Sequence, residues 1–128
     1  MRLLIRLFSF MMLVLLLACN RPATGEQISA EKDIPVKNVV TMVDLGAKYC
    51  IPCKMMAPIL AELEKEYRGR AAVIFIDVRE QKDKARELNV LLIPTQIFYN
   101  KSGQEVWRHS GFLDKESIKA KLDALLKE

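Results

Sequence analysis

The chain has 128 residues, which is room for one domain. Apolar residues make up 51%, but residues 1–18 inflate that figure, so it does not mark a membrane-embedded fold. The formal charge of +4 owes half its size to Arg2 and Arg6, and the remaining basic residues are scattered among acidic ones, which excludes a nucleic-acid-binding face.

Arg2 and Arg6 lead into an uncharged run over 7–18, which stops at Cys19. That run is shorter than the ~20 residues a membrane-crossing helix needs. A basic start, a short apolar stretch and a small residue before the break are the parts of a secretory signal. Leu16-Leu17-Ala18-Cys19 resembles the lipobox of bacterial lipoproteins, which implies cleavage before Cys19 and attachment of lipid to its thiol. Acyl chains would then hold the protein at a membrane surface, each buried methylene contributing ~0.8 kcal/mol. An ordinary export signal or an uncleaved anchor is the alternative. The expected organisation is a signal over 1–18, lipidated Cys19 with a tether over 19–35, and one domain over 36–128.

Residues 20–35 carry Pro22, Gly25 and Pro35 in a mixed polar setting, as a tether would. Residues 36–46, with Val39, Val40, Met42, Val43 and Leu45, predict a buried strand. A helix is expected from Cys53 to about Tyr67. Met56, Ile59, Leu60, Leu63 and Tyr67 fall on one face, while Glu62, Glu64, Lys65 and Glu66 take the wet side. Pro58 should kink this helix, because it lacks an N–H and crowds the preceding turn.

Residues 71–78 are apolar apart from Asp77 and predict a second strand covered on both faces. A short charged helix follows over 80–88, with Ala85 and Leu88 inward. Pro94 precedes a third strand over 95–99. Lys101-Ser102-Gly103 then turns the chain into an antiparallel fourth strand over 105–109. Asp114 is the expected N-cap of a last helix that buries Ile118, Leu122 and Leu125. The order gives an α/β fold, a central mixed β-sheet flanked by helices, with a crossover joining the first two strands.

With Cys19 assigned to lipid, the cysteines that remain are one close pair, Cys50 and Cys53. A bridge across so short a loop constrains little of the unfolded chain, so chemistry explains the pair better than stability does. Cys50-Ile51-Pro52-Cys53 lies between an apolar strand and an amphipathic helix. Backbone N–H groups and the helix dipole favour a thiolate there. Cys50, at the outer edge of the turn, is the expected nucleophile; Cys53 is placed to attack a mixed disulfide and release its partner. Pro52 stiffens the turn without removing a needed hydrogen bond. A zinc site would need more ligands than this pair and His109 supply, and neither a metal nor another cofactor is expected. An inert disulfide is the other alternative.

The segment from Val43 through Asp44, Leu45, Gly46, Ala47, Lys48, Tyr49 and the two cysteines to Lys54 and Pro58 resembles the active-site segment of the thioredoxin family. Ile93-Pro94-Thr95 resembles that family's cis-proline segment, and Gly103 and Gly111 fall where its last two strands carry glycines. The resemblance covers about 38–126 and implies a thioredoxin fold, trimmed here at its amino-terminal edge because residues 20–37 are short and polar. It further implies catalytic roles for Cys50, Cys53, Asp44 and Pro94, with Asp44 moving a proton to or from the inner thiol. Tyr49, Ile51, Pro52, Ile93 and Thr95 would form the substrate surface, with an extended chain pairing to the backbone of Ile93. Tyr49 stands where the family usually has tryptophan, Ile51 where thioredoxin itself has glycine, and Val73 where many members have a buried lysine beside the acid.

The expected function is a thiol–disulfide oxidoreductase, a protein-disulfide reductase acting on exported proteins, apocytochrome c among the possible substrates. The resemblance also implies a membrane thiol-electron transporter as reductant and a monomer anchored facing the periplasm or cell exterior. A disulfide-donating oxidase, a redox adaptor and a copper metallochaperone are the alternatives.

Overall fold

The computed structural model describes residues 33–128. The predicted signal over 1–18, Cys19 and most of the tether lie outside the described residues. The first strand, β1 (Val40–Gly46), is shorter than the expected 36–46. Asn38 adopts a left-handed φ of 61°, and Val39 N–H closes a turn onto the Val36 carbonyl, so the extended ladder cannot start earlier. Every residue of β1 is buried.

Helix α1 (Ile51–Glu66) begins two residues before the expected Cys53. Cys50 takes the N-cap in extended geometry, and Pro52 sits in the first turn, where no N–H is missed. Pro58 lies inside the helix without ending it. The apolar stripe Cys53, Met56, Leu60 and Leu63 is buried, and the four charged residues predicted for the wet side are exposed. Strand β2 (Ala71–Asp77) follows, then α2 (Lys82–Glu87), β3 (Thr95–Tyr99), β4 (Glu105–Ser110) and α3 (Lys115–Leu126). Asp114 caps α3 as expected, its carboxylate accepting from Ser117 N–H at 2.9 Å.

The sheet order is β2-β1-β3-β4, with β1 and β2 parallel and the other pairs antiparallel. This mixed sheet with helices on both sides is the thioredoxin fold. Among the described residues β2 is an edge strand, and it is covered on both faces as expected, Val73 in one cluster and Ile76 in the other; Phe75, 44% exposed, is the gap in that cover.

The two faces of the sheet differ. One carries Val40 and Met42 of β1, Val73 of β2 and Phe98 of β3 against Met56, Leu63, Ile118 and Leu122 of α1 and α3. Trp107 of β4 packs at its border, beside Phe98 and under the Lys121 ammonium. The opposite face is smaller, with Val43, Leu45, Ile76, Ile97 and Tyr99 covered in part by Ile34, Leu88 and Val90. There the Arg108 guanidinium donates to the Leu88 carbonyl at 2.9 Å, satisfying the end of α2 and tying it to β4. No helix among the described residues is long and apolar enough to cross a membrane.

Candidate active site

Cys50 and Cys53 form a disulfide at the start of α1, their Cα atoms 5.2 Å apart. The Cys50 sulfur accepts from Cys53 N–H at 3.4 Å, so the outer sulfur is itself the helix cap. An unpaired sulfur held there meets the positive end of the helix dipole, which favours its anionic form after reduction. Cys53 is 4% exposed and Cys50 is partly exposed, which separates an accessible sulfur from a sheltered one. Gly46 lets Cys53 come this close: a Cβ there would sit 3.2 Å from the Cys53 sulfur and 3.1 Å from the Phe75 ring.

Asp77 anchors the turn before the cysteines. Its carboxylate accepts from Arg79 N–H at 2.9 Å and Lys48 N–H at 3.3 Å. These backbone donors, Arg79 first, hold its pKa below the ordinary value. These bonds make it a loop cap.

The strand register gathers the other site segments at the same end. Leu45 pairs with Thr95, and Thr95 with Ser110, so the loops after β1, before β3 and after β4 adjoin. The Ile93–Pro94 bond is cis, and Gly111 N–H donates to the Pro94 carbonyl at 2.8 Å, with Gly111 at φ 104°. Pro94 and Thr95 are buried, and the Thr95 hydroxyl donates to the Leu92 carbonyl at 2.7 Å. Ile93 and Pro52 are partly exposed, while Tyr49 and Ile51 stand out at 79% and 75%. Leu91, Leu92 and Phe112 are exposed on the same group of loops. Sequence reasoning missed these three; the sign was a pair of leucines beside Pro94 with no helical or strand period to bury them.

Asp44 is fully buried. Its Oδ1 accepts from Gln96 Nε2 at 2.7 Å, and its Oδ2 has no partner among the described residues. Burial pushes the carboxyl up to about 6, opposed by the Gln96 hydrogen bond. The register corrects one expectation. Val73 lies opposite Met42, and Phe75 is the β2 residue opposite Asp44, because the parallel ladder fixes the pairing. An apolar ring therefore stands where a cation was looked for at Val73. Phe75, Asp44, Gln96 and His109 form one row across all four strands, and Val73, Met42, Phe98 and Trp107 form the apolar row beside it. Gln96, the hydrogen-bond partner of Asp44, is a residue sequence reading passed over. Its signal was an amide at an inward position of an otherwise apolar strand. His109, the end of the row, is partly buried against Trp107, with Nε2 3.2 Å from the Phe112 carbonyl.

A family model described as Thioredoxin matches residues 26–124. A thioredoxin of Staphylococcus aureus is 42% identical over 94 residues, which is 73% of this chain and 89% of the relative. Among solved structures, chloroplastic thioredoxin z is similar with a TM-score of 0.64 and 28% identity, over 71% of this chain and 81% of its own. Fasciola hepatica thioredoxin gives a TM-score of 0.61 and 30% identity, over 69% and 82%.

Proposed function

The chain belongs to the thioredoxin family and is a thiol–disulfide oxidoreductase, and from that premise we propose that it works as a protein-disulfide reductase on exported proteins. The observation that carries this reading is the Cys50–Cys53 pair at the head of α1, with the outer sulfur accessible and the inner one sheltered.

In the proposed cycle the Cys50 thiolate attacks one sulfur of a substrate disulfide. The substrate S–S bond breaks, its second sulfur leaves as a thiolate, and a mixed disulfide forms. The Cys53 thiol then gives its proton to the Asp44 carboxylate, and its sulfur attacks Cys50. The substrate sulfur that was bonded to Cys50 leaves as a thiolate, and the protein keeps the Cys50–Cys53 disulfide. Two electrons have passed to the substrate, and an external dithiol must return two to the protein. A membrane thiol-electron transporter suits that task for an exported chain. Tyr49, Ile51 and Ile93 supply the apolar docking surface, joined by Leu91, Leu92 and Phe112.

Reduction is favoured over disulfide donation by the residues between the cysteines. Ile51 and Pro52 add no positive or histidine side chain that would over-stabilise the thiolate and make the couple strongly oxidising. Equilibration against glutathione or dithiothreitol checks this. A potential near about −270 mV is expected, and one near about −120 mV would assign the protein to disulfide donation.

The location rests on the sequence of residues 1–19. Mass spectrometry of the membrane fraction is expected to find a chain that starts at Cys19 and carries a thioether-linked diacylglycerol, and Cys19→Ala is expected to lose that lipid while leaving dithiol activity unchanged. A parent chain with no lipid on Cys19 counts against the anchor.

A further inference from the structure

A carboxyl that accepts a proton and later gives it up must be accommodated both charged and neutral. Around Asp44, β2 supplies Phe75, and β3 supplies Gln96. On α1, Cys53 packs against Gly46, two residues along β1 from Asp44. One strand beyond Gln96 lies His109. The acids and bases of α1 and α3 occupy outer positions of those helices. Among the described residues the only side-chain hydrogen bond to the carboxyl comes from Gln96, which is itself fully buried.

Two atoms of this pair are left over, Asp44 Oδ2 and Gln96 Oε1. An ammonium in place of the amide has donors only and would satisfy the charged acid alone. An apolar side chain would suit the neutral acid alone. A primary amide carries donors on one side and an acceptor on the other, and half a turn about its last torsion exchanges them. With the –NH₂ group turned to Asp44, as here, it donates to the carboxylate. With Oε1 turned there, it accepts from the protonated acid.

We propose that Gln96 is a positioning residue that keeps Asp44 hydrogen-bonded in both protonation states, offering its –NH₂ to the carboxylate and, after an amide flip, its carbonyl oxygen to the acid. The inference deepens the proton-transfer role given to Asp44 and rests on that reading. It also accounts for a carboxyl that works with Phe75, an apolar ring, as its β2 neighbour. The amide is a partner that no lysine could imitate, since it follows the acid through its whole cycle.

The test reads the two side chains directly by carbon-13 NMR in the oxidised protein, with labelled aspartate and glutamine carboxyl and amide carbons. Asp44 is expected to titrate with a midpoint near pH 6, and the Gln96 amide carbon to shift with the same midpoint. In Gln96→Met the Asp44 midpoint should rise by about one to two pH units, for loss of a charge-assisted hydrogen bond. In Gln96→Lys it should fall by at least about one pH unit, because an ammonium favours the carboxylate. A merely structural Gln96 would leave its amide carbon blind to pH and would not move the midpoint in opposite directions; either result overturns the proposal. The parent protein's two signals decide the matter even if a variant does not fold. Failure of the underlying reading shows elsewhere: if Asp44→Asn keeps the parent's pH profile for turnover, Asp44 moves no proton, whatever its bond to Gln96.

Discussion

Cys50→Ser is expected to leave no turnover above the background of the reductant alone, a loss of at least about 10³-fold. A hydroxyl neither ionises near neutral pH nor forms a disulfide, so no mixed intermediate arises. Cys53→Ser should behave differently. Its Cys50 still attacks, but nothing within reach releases the product, and the variant should accumulate one covalently bound substrate per chain. An insulin-reduction assay measures the first effect, and intact-protein mass spectrometry measures the second. The asymmetry follows from the geometry: Cys50 is partly exposed at the cap, and Cys53 is sheltered under Gly46. Equal trapping by both variants, or activity retained by Cys50→Ser, would remove Cys50 from the nucleophile's role.

Asp44→Asn is expected to stabilise the oxidised domain and slow it at once. The carboxyl sits at about 6 in the folded protein against an ordinary value of 3.8, so ionising it costs the fold about 3 kcal/mol at pH 8. The amide of asparagine escapes that cost but must itself be buried, which leaves a gain of about 2 kcal/mol. The sign fixes the pH range. Because the folded value is the higher one, the penalty is complete above pH 6 and is relieved as pH falls toward 4. The variant's advantage in urea unfolding should therefore shrink over that interval and reverse to a deficit of about 1 kcal/mol below it. Release of substrate from Cys50, which needs Asp44 as a carboxylate, should fall in the parent below pH 6. In the variant it should be slower by about 10²-fold at pH 7 and lose that acid limb. A variant no more stable than its parent at pH 8 would mean that Asp44 is not isolated from solvent as described.

The order of elements was legible because each announces itself locally. Met56, Leu60 and Leu63 repeat at helical spacing, Asp114 stands three residues before Ser117, and Lys101-Ser102-Gly103 separates two strand patterns. The redox pair was legible for the same reason, being a short motif between a strand and a helix. What escaped depends on pairing between distant segments. Nothing near Val73 or Phe75 says which of them lies beside Asp44; the ladder decides it, and a shift of two residues keeps the same side of the sheet. Gln96 looked like an ordinary polar interruption until its strand was set against β1. The early start expected for β1 failed at Asn38, whose left-handed backbone is a tolerated but uncommon choice for asparagine.

The unequal faces of the sheet give the molecule a graded resistance to opening. The framework under the cysteines is held by two long helices around one continuous apolar cluster. The segment leading to Ile93 and Pro94 departs from α2, a six-residue helix with no fully buried side chain, fastened largely by Leu88, Val90 and the Arg108 guanidinium. Amide hydrogen exchange sorts such regions by the free energy of their separate excursions, and thinly packed ones exchange first. The loop proposed to receive a protein chain is thus expected to open as its own small cooperative unit, while the sulfur-bearing helix keeps its register.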